Sequence, residues 1–211
     1  LICTVFSLLV AYPFAYFIAH AGKWKNLLLL LVMIPFWTNL LIRLYSWIIL
    51  LNEEGFINYI LLKLGIISEP LTMLYTPFAV IVGLVYGFLP FMILPIYASI
   101  EQLDKSYLEA AEDLGASPIK TFFRVTIPLT FPGILAGIIM TFVPAISVFV
   151  VTDLLAGGRI LMIGNIIKSA FLEQLNWQLG AALSLMLLIL VLISIFIFMR
   201  FTSSKDRNLL I

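Results

Sequence analysis

Charge is scarce in this chain. Lys, Arg, Asp and Glu together make up 11% of its 211 residues, and histidine and cysteine occur once each, at His20 and Cys3. A single cysteine excludes an internal disulfide. A single histidine excludes a histidine-rich metal site and the histidine pair of a zinc protease. The chain has no G-x-x-x-x-G-K-S/T loop to cradle a nucleotide phosphate and no G-x-S-x-G nucleophile elbow. No catalytic residue and no metal ligand is therefore assigned, and the chain is not expected to be an enzyme. Twelve Lys and Arg against eleven Asp and Glu leave a net charge of +1, too small a field to argue for nucleic acid as a partner.

Apolar sequence fills the chain instead. Hydrophobic residues make up 63% of it, and the mean hydropathy is +1.16. A soluble domain cannot hide that much apolar surface. A helix crossing a bilayer needs about 20 mostly apolar residues, and five stretches qualify: 1–19, 27–51, 73–98, 128–152 and 179–201. Backbone polar groups in hydrocarbon must be satisfied within the segment, so these stretches are helices. Their continuous apolar runs lack the alternation of a membrane barrel. The expected fold is an all-α polytopic helical bundle of five spans. The chain opens inside an apolar run, so a further span upstream of Leu1 is expected, with a cleaved signal segment as the alternative.

The position of the charges orients the bundle. With alternating spans, Lys23, Lys25, Lys105, Lys120, Arg124, Arg200, Lys205 and Arg207 fall on one side, Lys63, Arg159 and Lys168 on the other, and Arg43 within a span. Eight against three places the first side in the cytoplasm. The outer connections carry a weakly amphipathic stretch at Phe56 to Leu64 and an apolar middle at Ile160 to Phe171, too short to span and read as a re-entrant or surface helix. Pro13, Pro35, Pro90, Pro95 and Pro144 punctuate the spans, and Gly83-x-x-x-Gly87 and Gly133-x-x-x-Gly137 permit close helix contact.

The cytoplasmic connection between the third and fourth spans holds a polar island, Glu109-Ala110-Ala111-Glu112-Asp113-Leu114-Gly115. Ser106 followed by Glu109 has the spacing of a capping box. The stretch Tyr107 to Leu114 reads as a helix with Glu109, Glu112 and Asp113 on one face and Tyr107, Ala111 and Leu114 on another. Gly115 suits the left-handed conformation that closes a helix. Ser117 and Pro118 then start a second short helix, Ile119 to Val125. Lys120 and Arg124, four apart on it, suit the lipid surface. A solvated loop is the plain alternative from charge and capping alone.

The order of these residues resembles the EAA motif of ATP-binding cassette (ABC) importer permeases: Glu109-Ala110-Ala111, three residues, Gly115, nine residues, then Val125-x-Ile127-Pro128. The resemblance extends along the chain. Pro35-Phe36-Trp37-Thr38-Asn39, Arg43 and Tyr45-Ser46-Trp47 look like the second-span pattern of the spermidine/putrescine permeases. Val85-Tyr86, Leu89-Pro90-Phe91-Met92, Ser99 to Asp104, Asp153-Leu154 and Ile163-Gly164-Asn165 are similar to the same group. Permeases for iron, thiamine and other small solutes share parts of this pattern.

The resemblance implies a type I importer transmembrane domain over residues 1–211, in the cytoplasmic membrane of a bacterium, with a coupling loop at 106–126. It implies as partners a second permease subunit, two ATPase subunits, an extracytoplasmic solute-binding protein and membrane lipid. Glu109, Ala110, Ala111, Leu114 and Gly115 would dock on the ATPase. ATP and magnesium would bind there, leaving this subunit without a cofactor. An autonomous secondary transporter or channel is the alternative, and would need buried acids of its own; Asp153 is the one plausible site.

A polyamine pathway calls for carboxylates and aromatic faces. Asp153 at the outer end of the fourth span is the leading candidate, since a charge near the bilayer core costs about 2.5–3.5 kcal/mol on insertion scales. A structural ion pair with Arg43 is the competing role for it. Asn39, Arg43 and Ser46 are expected as one polar stripe on the second span, with Arg43 structural or gating because it would repel a cation. Trp37, Tyr86 and Trp47 are candidate lining residues, although single aromatics more often belong to interfacial belts. Glu53, Glu54, Glu69 and Glu173 lie on outer connections as candidate contacts for a binding protein, against the simpler reading of solvated acids.

Overall fold

A computed structural model describes the backbone of residues 1–208 and the side chains of residues 1–196 and Arg200. The side chains of Lys205 and Arg207, counted in the charge bias, lie outside that set. The elements in order are α1 (Ile2–His20), a short 3₁₀ turn (Gly22–Trp24), α2 (Lys25–Trp37), α3 (Leu40–Leu51), α4 (Phe56–Lys63), α5 (Pro77–Glu101), α6 (Ser106–Asp113), α7 (Pro118–Thr121), a π-helical turn (Phe122–Thr126), α8 (Ile127–Leu129), α9 (Phe131–Ser147), α10 (Val150–Leu155), α11 (Ile163–Leu172) and α12 (Trp177–Asn208). The described residues contain no strand.

Among the described residues, three helices are long and apolar enough to cross a membrane without interruption: Ile2–His20, Pro77–Glu101 and Trp177–Phe196. The other two expected spans are broken. Gly22–Trp37 meets Leu40–Lys63 at 91°, and Pro118–Leu129 meets Phe131–Ser147 at 63°. The uninterrupted 27–51 span is thus corrected to two helices joined through Thr38 and Asn39, neither of them helical in backbone. The cause is local chemistry. The Thr38 hydroxyl and N–H both turn back to the Pro35 carbonyl, and the Asn39 side chain accepts from the Leu41 N–H at 2.8 Å, capping α3. Asn39 therefore begins a helix and does not share a continuous stripe with Arg43 and Ser46. The expected 128–152 span is likewise interrupted, at Thr130 and again at Val148, where α9 gives way to α10.

α1 and α5 run side by side in the same direction, with α9 antiparallel against both. Two core clusters stack along them. At one end Cys3, Leu44, Ala79, Leu84, Ala145, Val151 and Leu155 pack together. At the other end, beside the α5–α9 connection, Ala11, Ala15, Ile18, Met92, Ile96, Ile100 and Ile134 pack together. Helix association in lipid depends on close packing, because the tails are as apolar as leucine. Glycine provides it here. A β-carbon on Gly133 would stand 2.4 Å from the Ser99 Cβ, and one on Gly137 would stand 2.8 Å from the Met92 Sδ. A β-carbon on Gly83 would meet the Leu155 Cδ1 at 2.3 Å, whereas at Gly87 the nearest atom is 3.8 Å away. The 133/137 pair is thus the α5–α9 contact, while of the 83/87 pair only Gly83 is held to its size by a neighbour.

The outer helix expected within Ile160 to Phe171 forms as α11, and the weakly amphipathic stretch at Phe56 to Leu64 is helical as α4. α4 is fixed by Asn58, fully buried, which bonds the Asn52 carbonyl and both backbone groups of Leu71. Nothing in the sequence pattern distinguishes this asparagine as the residue that ties down its connection.

Candidate functional site

Two polar constellations stand out, one at each end of the bundle. The first is the polar island. α6 covers Ser106–Asp113, one residue earlier than the pattern predicts. Its N-terminal cap differs too. Ser106 is not the cap and Glu109 does not close a box: the Asp104 carboxylate accepts from the Ser106 N–H at 2.9 Å. That backbone hydrogen bond holds the Asp104 carboxyl below its ordinary value of 3.8. The shorter reach of an aspartate two residues upstream wins over a capping box that needs Ser106 outside the helix.

The C-terminal end closes as the glycine suggests. Gly115 has φ +76°. Its N–H bonds the Glu112 carbonyl at 2.8 Å, and the Ala116 N–H bonds the Ala111 carbonyl at 3.0 Å, the paired closure of a Schellman motif. The Ser117 hydroxyl accepts from the Lys120 N–H at 3.4 Å and Pro118 occupies the first turn of α7. The second short helix is not regular, however: Phe122–Thr126 form a π-helical turn.

The faces of α6 sort differently from their expectation. Glu109, Glu112 and Asp113 are exposed together, and Ala111 is buried against the bundle. Leu114 does not share that burial. It is 88% exposed, with Tyr107 at 55% and Ile119 at 73%. Acidic and large apolar groups thus lie bare together around one short helix.

This loop is wired to the spans. Phe122 packs edge-on against Tyr12 at 5.6 Å and Tyr16 at 5.1 Å, both on α1. The Tyr12 and Thr130 hydroxyls lie 2.9 Å apart, and Thr130 donates to the Thr126 carbonyl at 2.7 Å. The kink that starts α9 is therefore held by the same residues that receive the polar island's connection. Beside it, Lys25 of α2 pairs with Glu101 at the end of α5.

The second constellation is at the opposite end, where α10 meets α11. Asp153 does not pair with Arg43. Its Oδ2 accepts from the Lys168 Nζ at 2.8 Å and its Oδ1 from the Asn165 Nδ2 at 2.7 Å. The Asn165 Oδ1 accepts in turn from the Thr152 hydroxyl at 2.8 Å and the Met162 N–H at 2.9 Å. Asn165 is 6% exposed and Thr152 fully buried. Gly164 lets α11 approach, since a β-carbon there would stand 2.2 Å from the Ser147 carbonyl oxygen. The hydrogen bond to Asp153 holds the Lys168 ammonium above its ordinary pKa of 10.5. The i, i+3 spacing of Asn165 and Lys168 on one short helix was the available signal for this site.

The remaining candidates divide. Trp47 and Tyr86 meet edge-on at 5.5 Å. The Arg43 guanidinium, 9% exposed, lies over the rings of Phe36 at 5.5 Å and Tyr86 at 6.0 Å. Its Nε is buried with no hydrogen-bond partner, so aromatic faces and not a carboxylate hold this charge. Trp37 is 76% exposed beside the break. Asp153 and the Arg43 cluster thus have separate partners. Glu53, Glu54 and Glu69 are exposed, and Glu173 accepts from the Ser169 hydroxyl at 2.7 Å.

A polytopic bundle with broken spans and a bare, capped helix in one connection is the architecture of an importer permease. The chain belongs to the family described as binding-protein-dependent transport system inner membrane component, whose model matches residues 6–208. It is 52% identical over 186 residues to the spermidine/putrescine transport system permease protein PotB of Escherichia coli (strain K12), covering 88% of this chain and 68% of that protein. The Haemophilus influenzae PotB is 50% identical over 185 residues, covering 87% of this chain and 65% of that one. The chain therefore spans about two thirds of the length of these relatives. The Escherichia coli inner membrane ABC transporter permease protein YdcU is 35% identical, covering 87% and 62%. Among solved structures, a chain of a bacterial alginate ABC transporter superposes with TM-score 0.73 at 18% identity, covering 93% of this chain and 73% of that one. A chain of the inward-facing MetNI methionine ABC transporter gives 0.70 at 18% identity, covering 96% and 89%. The protein is a multi-pass permease of the bacterial inner membrane.

Proposed function

We propose that this chain is a pore-forming subunit of an ABC importer that carries polyamines inward, and that α6 is where ATP-driven motion enters it. The bare helix at Ser106–Asp113 carries the reading. Its acids and the exposed Leu114 and Ile119 offer a soluble partner both charge and apolar surface, as a short helix seated in a groove does. The partners are two ATPase subunits, which hold ATP and magnesium, a second permease subunit and an extracytoplasmic binding protein. Relatives named for spermidine and putrescine at 52% and 50% identity support the substrate class.

Mechanically, displacement of α6 is passed through Phe122 to Tyr12 and Tyr16 on α1, and through Thr126 and Thr130 to the kink at the start of α9. Packed contacts of this kind shift between discrete arrangements and do not deform continuously. Nucleotide binding in the ATPase pair biases the two. The test is uptake of labelled spermidine into proteoliposomes holding the assembled importer. ATP-dependent uptake that disappears with Glu109→Lys combined with Gly115→Pro, while the permease still inserts in the membrane, is the expected result. Normal uptake by that double variant removes the coupling role. Transport by this chain alone without ATP replaces the reading with an autonomous carrier.

A further inference from the structure

A hollow at the root of α6 takes no part in the contacts that wire the loop to the spans. It is a cavity of about 510 Å³ whose lining includes Tyr16 and His20 of α1, Lys25 of α2, Glu101 of α5, Lys105 and Thr126. That volume lies within the range of about 300–1,000 Å³ typical of small-molecule sites. Its charges do not balance. Lys25 and Glu101 answer each other as an ion pair, whereas Lys105 makes no ion pair among the described residues.

The helix ends beside the cavity do not answer the spare ammonium. The Tyr16 carbonyl accepts from the His20 Nδ1 at 2.8 Å and the Ile18 carbonyl from the Ala21 N–H at 3.1 Å. The Ala98 and Ile100 carbonyls accept from the Gln102 and Leu103 N–H groups, each at 3.1 Å. An anion with several oxygens completes such a cavity, because ammonium groups hold phosphate through charge-assisted hydrogen bonds.

The place of the cavity selects the source of that anion. It lies at the ends of α1 and α5, both long and apolar enough to cross a membrane. Trp24 is bare next to Lys25, with the Lys23 ammonium 5.8 Å from its ring centre, and tryptophan favours the membrane–water interface. Phe17 on α1 and Leu27 and Leu31 on α2 are bare as well, an apolar flank that acyl chains can cover. A free phosphate uses the lysines and leaves that flank in water. Basic pockets between spanning helices hold anionic headgroups in this way.

We propose that this cavity binds the phosphate of an anionic phospholipid such as phosphatidylglycerol. Lys105 and Lys25 are its ligands, with Lys25 shared between the phosphate and Glu101. The headgroup then touches the ends of α1 and α5 and the start of α6 at once, and braces the root of α6. Lipid binding does not depend on what α6 does. The brace rests on the reading of α6 as the coupling helix, and is measured apart from binding.

The assembled importer is stripped of lipid in neutral detergent and titrated with phosphatidylglycerol, phosphatidylcholine and inorganic phosphate. Bound lipid is counted by native mass spectrometry. Phosphatidylglycerol is expected to bind about twentyfold more tightly than phosphatidylcholine, at about fivefold for each of two lysines near an anionic surface. Lys105→Gln breaks no ion pair and is expected to lower that preference about fivefold. Glu101→Gln frees Lys25 for the phosphate and is expected to raise it. Lys120→Gln changes an exposed lysine outside the cavity and should leave the preference unchanged. An equal loss at Lys120 and Lys105 shows diffuse attraction between basic surface and anionic lipid, and overturns the site. So does displacement of the lipid by an equal concentration of inorganic phosphate, which assigns the cavity to a free anion. Should Lys105→Gln fail to assemble, Glu101→Gln decides: a preference that does not rise is incompatible with Lys25 as a ligand. In proteoliposomes, phosphatidylglycerol is expected to raise spermidine uptake per ATP hydrolysed in the parent and not in Lys105→Gln. The same response in both removes the brace. Uptake by the unmodified importer with ATP tests the polyamine reading independently, since it requires none of these variants.

Discussion

The Ala116 N–H reaches the Ala111 carbonyl at 3.0 Å, and this one bond turns the chain sharply away from the end of α6. It is possible because Gly115 between them sits at φ +76° with nothing within 4 Å of where its β-carbon would lie. The constraint is conformational and not steric crowding. Gly115→Ala should therefore cost only the left-handed backbone penalty of about 1–2 kcal/mol and leave uptake reduced but measurable. Gly115→Val, β-branched, should lose most ATP-driven uptake with membrane insertion unchanged. Proteoliposome uptake and a fractionation assay read the two.

Leu114 offers a cleaner separation of assembly from folding. At 88% exposure it contributes little to the permease alone. Leu114→Asp is expected to leave the melting temperature of the isolated subunit close to that of the parent, as surface substitutions usually change stability by only about ±0.5 kcal/mol. The same variant should lose co-purification with the ATPase. Intact co-purification would remove Leu114 from the docking surface.

Phe122 should uncouple the two halves of the cycle. Its ring touches Tyr12 and Tyr16 but belongs to the connection that carries α6. Phe122→Ala is expected to keep ATPase binding and lower spermidine uptake per ATP hydrolysed, because the moving loop no longer grips α1. Parallel phosphate-release and uptake assays supply that ratio. An unchanged ratio would rule out this route for the motion.

The glycines on α5 and α9 predict opposite tolerances. Gly133→Ala puts a β-carbon 2.4 Å from the Ser99 Cβ and 2.6 Å from the Pro95 carbonyl oxygen, an overpacking of the kind that costs about 1–3 kcal/mol. Gly87→Ala meets nothing nearer than 3.8 Å and should be neutral. Thermal unfolding in detergent compares them directly.

The pH response of the outer ion pair has a definite sign. The pKa of Lys168 is raised above 10.5 by Asp153. Its contribution is thus fully present below that value and is lost as pH rises through the higher folded-state value. The stability difference between parent and Lys168→Met should stay constant through neutral pH and close only in strongly alkaline solution. Differential scanning across that range is the measurement.

Much of this molecule follows from local order in the chain. Five apolar stretches and the spacing from Glu109 to Pro128 are enough to read a polytopic bundle and the element that resembles a coupling loop. Gly115 and Ser117-Pro118 specify turns because their conformational preferences act within four or five residues. Two departures from that reading also have local causes, but weaker ones. Asp104 takes the cap from Ser106, and Thr38 with Asn39 divides a run whose hydropathy is continuous. Hydropathy reports transfer to lipid and is blind to a hydrogen bond that ends a helix.

What only the tertiary structure decided is which charges meet. The sequence offered Arg43 as the partner of Asp153; the i, i+3 spacing groups Asn165 and Lys168 on one helix face but does not say that this face meets Asp153. The fold brings α11 onto the end of α9 through Gly164, which delivers Asn165 and Lys168 to Asp153. It leaves Arg43 among Phe36 and Tyr86. How each segment relates to lipid and water is determined by the sequence alone, because those preferences belong to single residues and their near neighbours. Pairing across the bundle depends on helix breaks and close approaches that sum over distant parts of the chain.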